Sequence, residues 1–259
     1  MKYLDGKELQ GYIKARQAHD VKALRSRKIF PKLVIFYDND SLVIAKYMSL
    51  KQRYGEDIGV TTEIIKLPPD QEQAEQMLAE KAEDTSVQGI IIQLPLENVD
   101  QKILEKIPLE KDVDGLNGGM ESATADAINW LLGAYNVDLP NKKIALVGKG
   151  KLVGGPLFRM WTNSGFDVTA FVRGDDLSVL NQYDVVVSAT SQIGLIKPEM
   201  LKEGAVVVDA GTTSDKGVLK GDVDSAVYER KDITITPKIG GVGPLTIALL
   251  FEHLLQNLK

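Results

Sequence analysis

The sequence predicts an α/β protein with two three-layer domains, each built around a parallel sheet. Short apolar runs alternate with segments of helical spacing through the first half of the chain. A second series of short, β-branched runs starts in the middle, and its first member leads into a glycine-rich loop. Runs that are apolar throughout are typical of parallel strands buried on both faces by helices. A length of 259 residues suits two medium domains.

The first series has a βαβαβ order. Asp40 or Ser41 can cap the first helix, because short polar side chains accept the unpaired N–H groups at a helix N-terminus. The third strand ends in a proline-bearing loop. The predicted strands span 32–38, 61–67 and 88–96, and the predicted helices span 40–59, 70–84 and 99–107.

The second series supplies the strands of another parallel sheet. An apolar-rich helix that starts near Leu245 follows it. We place the domain boundary near residues 116–122, with a first domain at 1–118 that the final helix 245–259 joins, and a second domain at 119–244. The predicted strands of the second domain span 143–148, 166–172, 183–190, 204–211 and 232–237.

The composition argues against several classes of protein. The chain is 44% hydrophobic and 26% charged with a net charge of −5, which gives no support for a nucleic-acid or anionic-membrane surface. It has no cysteine, and His19 and His253 are far apart, so we predict no metal site and expect both histidines on helix surfaces. The first residues lack a signal-peptide pattern, and no stretch is apolar enough to span a membrane. We therefore expect a cytoplasmic protein.

The segment VGKGKLVGGP (147–156) lies where a strand meets a helix. Its glycines Gly148, Gly150 and Gly154 form a G-x-G-x-x-x-G pattern, a variant of the usual dinucleotide-binding G-x-G-x-x-G. Glycine permits a tight turn and lets backbone N–H groups approach a pyrophosphate at a helix N-terminus. Glycines also mark plain turns. Because this loop opens a series of βα units, we predict a Rossmann-like NAD(P)-binding domain.

The strand after the loop indicates which cofactor binds. In NAD-binding proteins an acid near the end of this strand holds the ribose, whereas here the strand ends at Arg173. Arginine suits a 2′-phosphate, as does Lys149 in the loop, so NADP is favoured. Asp175 and Asp176 follow closely and either form a solvated turn or shift the preference to NAD.

Tyr47 and Lys51 are four residues apart in the helix predicted at 40–59, so they share one face. On spacing alone, such a pair is often a lysine whose stem covers an aromatic ring. Tyr-x-x-x-Lys with a nicotinamide loop is also typical of short-chain dehydrogenases, but there the loop precedes the pair. Here the loop follows, so we expect the pair and the loop in different domains, with the active site in a cleft between them.

Several strings together resemble one family, the bifunctional methylenetetrahydrofolate dehydrogenase/cyclohydrolases. They occur in the family's order and span most of the chain, and KDVDG and GGVGPLT are the most specific. The strings are YMSLK (47–51), GIIIQLPL (89–96), EKDVDG (110–115), VGKGKLVGGP (147–156), LKEGAVVVDAG (201–211), GDV (221–223) and GGVGPLT (240–246).

The resemblance implies a folate site. Lys51 matches the family's catalytic lysine, and Tyr47 matches the tyrosine that stacks on the folate and helps to place that lysine. Gln93 matches the glutamine that hydrogen-bonds the lysine, and Asp114 matches the acid that binds the pterin edge. The other implied substrate-binding residues are Leu94, Gly241, Pro244 and Leu245.

The resemblance also implies a cofactor site, with NADP expected and NAD as the alternative. The implied cofactor-binding residues are Gly148, Lys149, Gly150, Val153, Gly154, Arg173, Ala189, Thr190, Thr212 and Gly243.

From the same resemblance, we expect the protein to oxidise 5,10-methylenetetrahydrofolate with NADP and to hydrolyse the methenyl product to 10-formyltetrahydrofolate, as a homodimer. The hydride transfer requires mainly positioning of the two reactants. The hydrolysis requires proton transfer, for which Lys51 is useful only if its pKa falls toward neutrality.

The chain departs from the family pattern at several places. The stretch 37–46 lacks the usual PAS string, the segment 116–124 is shorter than in the family, and Ile239 replaces a proline. Two alternatives therefore stay open. One is a dehydrogenase without the hydrolytic activity, which could use NAD, and the other is a non-catalytic protein that binds folate or a nucleotide.

Overall fold

A computed structural model describes residues 2–215 and 218–258. Among these residues, the helices are α1 (Gly6–Ser26), α2 (Leu42–Ile58), α3 (Gln71–Glu83), α4 (Ala123–Ala134), α5 (Gly154–Asn163) and α6 (Val242–Gln256). The strands are β1 (Lys2–Tyr3), β2 (Lys32–Tyr37), β3 (Thr61–Lys66), β4 (Gly89–Ile92), β5 (Lys143–Val147), β6 (Asp167–Phe171), β7 (Val185–Ser188), β8 (Val206–Asp209), β9 (Thr213–Asp215), β10 (Val218–Lys220) and β11 (Thr234–Ile235).

The chain forms two compact units, and it crosses between them more than once. One unit, which we call the lysine unit, comprises Gln10–Ala123 and Ile247–Lys259. The other, called the glycine-loop unit, comprises Met1–Leu9 and Thr124–Thr246. The predicted fold class, a two-domain α/β protein with parallel sheets, is confirmed by the two sheets described below.

The lysine unit is built on a three-stranded parallel sheet in the order β3–β2–β4. One face of this sheet buries Val34, Phe36, Ile90 and Ile92 in an apolar cluster to which α3 also contributes Leu78. On α2, the ring of Tyr54 stacks on that of Phe251 of α6 with the ring centroids 5.2 Å apart. The sheet is therefore covered by helices, as its continuous apolar strands predicted.

Local signals set the ends of α2. Ser41 is the N-cap, with its hydroxyl accepting the N–H of Ile44 at 3.3 Å, so the alternative cap, Asp40, is not used. Gly59 ends the helix with φ +85°, a left-handed conformation that costs glycine little. These caps fix the register of the helix that carries Tyr47 and Lys51.

The glycine-loop unit has a six-stranded sheet in the order β1–β11–β8–β7–β5–β6, in which every neighbouring pair is parallel. The chain goes from β5 outward to β6 and then returns to β7 on the other side of β5. In open α/β sheets, such a change of direction creates a crevice at the carboxyl ends of the strands, where ligands bind. The strands β9 and β10 form a separate antiparallel pair.

Several elements were not predicted. They are the long helix α1, the helix α4, the two-residue strand β1 that pairs with β11, and the β9–β10 pair. The predicted helix at 99–107 is a 3-10 helix over Gln101–Lys106, and α6 starts at Val242 rather than near Leu245.

One side-chain expectation was wrong. His253 was expected on a helix surface, but it is only 3% exposed, and its Nδ1 lies 2.9 Å from the carbonyl oxygen of Val113. Most residues of this part of α6 are buried, and a buried imidazole must find a polar partner. His19 is exposed, with 83% of its side chain accessible.

Among the described helices, none combines the length and the apolar character needed to cross a membrane.

Candidate active site

Lys51 lies on α2 with its side chain buried. Its Nζ donates a hydrogen bond of 2.9 Å to Oε1 of Gln93, the residue directly after β4. The Nε2 of Gln93 in turn donates to the carbonyl oxygen of Leu94 at 3.1 Å. This second bond fixes the amide so that its oxygen faces the lysine.

Asp114 is half-buried and lies near enough to Lys51 for the two charges to interact. Burial lowers the pKa of Lys51 from its ordinary value, and the negative charge of Asp114 opposes this shift. Burial likewise raises the pKa of Asp114, and the positive charge of Lys51 opposes it. A lysine in this environment is easier to deprotonate than one in water, so it can act as a base nearer neutrality.

The segment that carries Asp114 is held by its own backbone contacts. Asp112 forms a parallel bridge with Ile90 of β4, and its carboxylate accepts the N–H of Asn117 at 2.6 Å. Gly115 follows with φ +70°, which favours glycine at this turn. Asp114 thus lies two residues beyond the bridge to β4, near enough to Lys51 for their charges to interact.

Tyr47 lies one turn before Lys51 on α2 and is half-buried. Part of its ring is therefore accessible to a planar ligand. The structure thus brings Lys51, Gln93 and Asp114 together in the lysine unit, with Tyr47 on the same helix face as Lys51.

Sequence reasoning missed Asp38, which organises the loop after Leu94. Its buried carboxylate accepts the backbone N–H groups of Glu97, Asn98 and Val99 at 2.7–3.0 Å. Asp38 follows β2 directly, as Gln93 follows β4, and the two strands are neighbours. An aspartate directly after a buried strand was a usable signal, but its partners lie far away along the chain.

The glycine loop has the close backbone approaches that its pattern predicts. Gly148 has φ +95°, and a Cβ there would lie 2.5 Å from the carbonyl oxygen of Ala189. A Cβ on Gly154 would lie 1.9 Å from the carbonyl oxygen of Gly148, so only glycine lets α5 start this close to β5. At Gly150, by contrast, a Cβ would meet no atom within 4 Å. Among the described residues, the loop tip therefore has open space on the side where a Cβ of Gly150 would lie.

The start of α5 also suits an anion. Val153 is the N-cap and provides no side-chain hydrogen bond to the first helical N–H groups. Lys149 lies in the same loop, with its Nζ 3.8 Å from the centroid of the Phe158 ring. A helix N-terminus attracts a phosphate through its N–H groups and its dipole.

A pocket of about 160 Å³ lies at the carboxyl ends of β5, β6 and β7. Gly148, Arg173 and Thr190 line it, together with Asp175. Asp175 accepts the N–H of Val172 at 2.7 Å, which occupies its carboxylate within the turn.

The second acid of this turn is also used locally. The carboxylate of Asp176 accepts the N–H and the hydroxyl of Ser178, each at 2.9 Å, and these bonds lower its pKa. The carboxylates of Asp175 and Asp176 therefore both accept hydrogen bonds within the turn. Arg173, which also lines the pocket, is exposed. These residues fit a nucleotide with a phosphate on its ribose.

The remaining predicted positions belong to the glycine-loop unit. Thr212 is exposed after β8, and Gly243 is exposed in the first turn of α6. Gly241 is buried, Pro244 is half-buried, and Leu245 is fully buried. The residues predicted to bind folate thus come from both units, whereas those predicted to bind the cofactor all belong to the glycine-loop unit.

Comparison with known proteins gives matches along most of the chain. A family model for the catalytic domain of tetrahydrofolate dehydrogenase/cyclohydrolase matches residues 4–114. A second model, for the NAD(P)-binding domain of the same family, matches residues 122–259.

Individual proteins match over almost their whole length. The bifunctional protein FolD of Macrococcus caseolyticus is 35% identical over 277 aligned positions, which cover 100% of this chain and 98% of that protein. The crystal structure of the FolD methylenetetrahydrofolate dehydrogenase/cyclohydrolase of Campylobacter jejuni has a TM-score of 0.92 at 32% identity, covering 99% of this chain and 98% of that one. The Trypanosoma brucei enzyme, complexed with NADP and an inhibitor, has a TM-score of 0.91 at 29% identity, covering 98% and 96%.

Proposed function

The chain belongs to the tetrahydrofolate dehydrogenase/cyclohydrolase family, as its motifs predicted, and we propose that Lys51 handles the proton in the second of its two reactions. The protein oxidises 5,10-methylenetetrahydrofolate to 5,10-methenyltetrahydrofolate with NADP and hydrolyses that product to 10-formyltetrahydrofolate. The observation that carries the proposal for Lys51 is its buried amine, held on a neutral amide rather than on a carboxylate.

The residues around the glycine loop would hold the cofactor. The open tip at Gly150 and the N-terminus of α5 would hold the pyrophosphate, and Arg173 would pair with the 2′-phosphate. When bound, NADP supplies the carbon that accepts hydride from the methylene group of the folate. The protein's part in this reaction is to hold the two reactants in line, since no side chain has to move a proton.

The hydrolysis uses the lysine. A water molecule adds to the cationic methenyl carbon and gives one proton to the neutral amine of Lys51. The resulting ammonium returns this proton to N5 as the bond between N5 and that carbon breaks. The hydroxyl on the carbon loses its proton to solvent and becomes the formyl oxygen, so one proton is released for each water consumed.

The neighbours of Lys51 position the amine and the folate for this proton transfer. Gln93 orients the amine without adding negative charge, which would hold the proton on the lysine. Asp114 accepts hydrogen bonds from the amino and ring N–H groups of the pterin. Tyr47 offers the accessible part of its ring for the folate to stack on.

An absorbance assay tests the proposal. Formation of methenyltetrahydrofolate is followed with NADP and with NAD in parallel, and its decay is then compared with decay in buffer. We expect methenyltetrahydrofolate to form faster with NADP than with NAD, and to decay faster with the enzyme than in buffer. If the methenyl compound forms but its decay is not accelerated, the protein is a dehydrogenase only. If neither reaction is catalysed but the ligands stabilise the protein against unfolding, it is a binding protein.

We also propose a cytoplasmic homodimer that supplies 10-formyltetrahydrofolate to purine biosynthesis. The absence of cysteine suits a reducing compartment. The strand β6 forms one edge of the six-stranded sheet, and an edge strand can pair with another copy. Light scattering coupled to size-exclusion chromatography checks the dimer, and a monomeric mass would contradict it.

A further inference from the structure

Asp222 is a buried carboxylate that the two reactions leave without a role. It is 0% exposed and follows β10 in the glycine-loop unit. Its Oδ2 accepts the hydroxyl of Ser188 at 2.8 Å and the backbone N–H of Thr190 at 2.6 Å. Its Oδ1 is also buried and has no hydrogen-bond partner among the described residues. Burial of a carboxylate with one unpartnered oxygen is costly, so its position requires a compensating gain.

The residue that Asp222 holds is part of the nucleotide pocket. Thr190 lines the cavity of about 160 Å³ with Gly148 and Arg173. A Cβ on Gly148 would lie 3.0 Å from Cγ2 of Thr190, so the glycine loop and the segment after β7 are in close contact. A shift of Thr190 would therefore change the wall on which the cofactor rests.

Asp222 is itself held by a second carboxylate at the end of β8. Asp209 accepts the N–H of Asp222 at 3.0 Å and that of Val223 at 3.1 Å. Burial raises the pKa of Asp209, and the charge of Asp222 acts in the same direction. A Cβ on Gly211 would lie 2.1 Å from Oδ1 of Asp222, so only glycine lets the chain pass this carboxylate. The two carboxylates together thus link the segment after β10 to the carboxyl ends of β7 and β8.

We infer that Asp222 is a positioning residue of the cofactor pocket, which it shapes by holding the backbone N–H of Thr190 in place. The inference rests on the proposed binding of NADP at the glycine loop. It assigns Asp222 to the NADP-dependent oxidation alone, because the hydrolysis of methenyltetrahydrofolate consumes no nucleotide. The second reaction therefore reports, in the same protein, whether a substitution has damaged the fold.

The experiment compares Asp222→Ala, Asp222→Asn and the matched control Ser188→Ala. Ser188→Ala removes the other hydrogen bond to the same oxygen and leaves the bond to Thr190. The Kd for NADP is measured by titration calorimetry, and the KM for NADP and the hydrolysis rate are measured on the same preparations. We expect Asp222→Ala to raise Kd and KM about tenfold, since a hydrogen bond to a charged acceptor is lost. Asp222→Asn keeps an acceptor oxygen and should show a smaller rise, and the hydrolysis rate should stay unchanged in all three proteins.

Several results would overturn the inference. They are an unchanged Kd for NADP in Asp222→Ala, an equal rise in Ser188→Ala, or a parallel loss of hydrolysis and NADP binding. If Asp222→Ala does not fold, the comparison of Asp222→Asn with Ser188→Ala decides, and equal Kd values for these two contradict the inference. A wild-type protein that binds NADP but oxidises no methylenetetrahydrofolate would instead contradict the proposed function.

Discussion

At Lys51, two opposing influences act on one amine. Burial lowers its pKa, and the charge of Asp114 raises it. Gln93 supplies a hydrogen-bond acceptor that is neutral at every pH of interest. The chemistry of the site therefore depends on how much negative charge surrounds the amine, and single substitutions can change this in either direction.

Replacing Gln93 by glutamate adds negative charge at the amine. A carboxylate 2.9 Å from Nζ stabilises the ammonium form, so the pKa of Lys51 rises in Gln93→Glu. We expect the rate of methenyltetrahydrofolate hydrolysis to fall at neutral pH. The rising limb of its pH–rate profile should move to higher pH. A pH–rate profile measures this, with Gln101→Glu as the exposed control. An unshifted profile would show that the lysine does not set the pH dependence.

Replacing Asp114 by asparagine has the opposite electrostatic effect. The charge that raises the pKa of Lys51 is lost, so this pKa falls further below its ordinary value in Asp114→Asn. The rising limb of hydrolysis should move to lower pH. The KM for the folate should rise by about tenfold, because a charged acceptor for the pterin is lost. Glu110→Gln, an exposed change in the same segment, is the control. A limb that moves to higher pH would exclude the proposed coupling between Asp114 and Lys51.

At the scale of the elements, the glycine loop and α5 act together. The start of α5 lies so close to β5 that Gly154 tolerates no side chain. Gly133 of α4, in contrast, has open space where its Cβ would be. The two glycines therefore differ in whether the surrounding structure requires them.

We predict opposite effects of alanine at these two glycines. Gly154→Ala must push α5 away from the loop, which should lower the free energy of unfolding by about 1–3 kcal/mol and weaken NADP binding. Gly133→Ala should raise the free energy of unfolding by about 0.4–1 kcal/mol, because it restricts the unfolded chain without a clash. Urea unfolding and NADP titration measure both. A neutral Gly154→Ala would contradict the close packing at the loop.

The elements that the sequence predicted are those with strong local signals. The apolar run of β2 and the polar cap at Ser41 are each visible in a few residues, and the structure confirms both. The strand β1 is two residues long, and only its pairing with β11 identifies it, whereas β11 lies within the strand predicted at 232–237. No local pattern could show that pairing.

The helix α1 was missed although a pattern existed. Ile13, Val21 and Leu24 are buried at helical spacing, and a buried glutamine, Gln17, occupies the same face. Gln17 is polar, so it interrupts the apolar stripe, and only the structure shows that it bonds Tyr54 and the backbone of Ala248. The same reason hid Asp38 and Asp222, because a buried polar residue is explained by partners far away along the chain.

At the scale of the whole molecule, the chain divides the chemistry between two units. Each unit has its own sheet and its own apolar cluster. The lysine unit holds Lys51, Gln93 and Asp114, and the glycine-loop unit holds the residues proposed to bind NADP. A substitution of the lysine should therefore separate the two reactions rather than abolish both.

The most direct test of this account is the ratio of the two activities in Lys51→Met. Methionine fills a similar buried volume and carries no exchangeable proton. We expect hydrolysis of methenyltetrahydrofolate to fall by about 10²–10⁴-fold, while NADP-dependent oxidation of methylenetetrahydrofolate continues. Lys46→Met, an exposed change on the same helix, should leave both rates unchanged. Hydrolysis at the wild-type rate in Lys51→Met would contradict the assignment of the proton to this lysine.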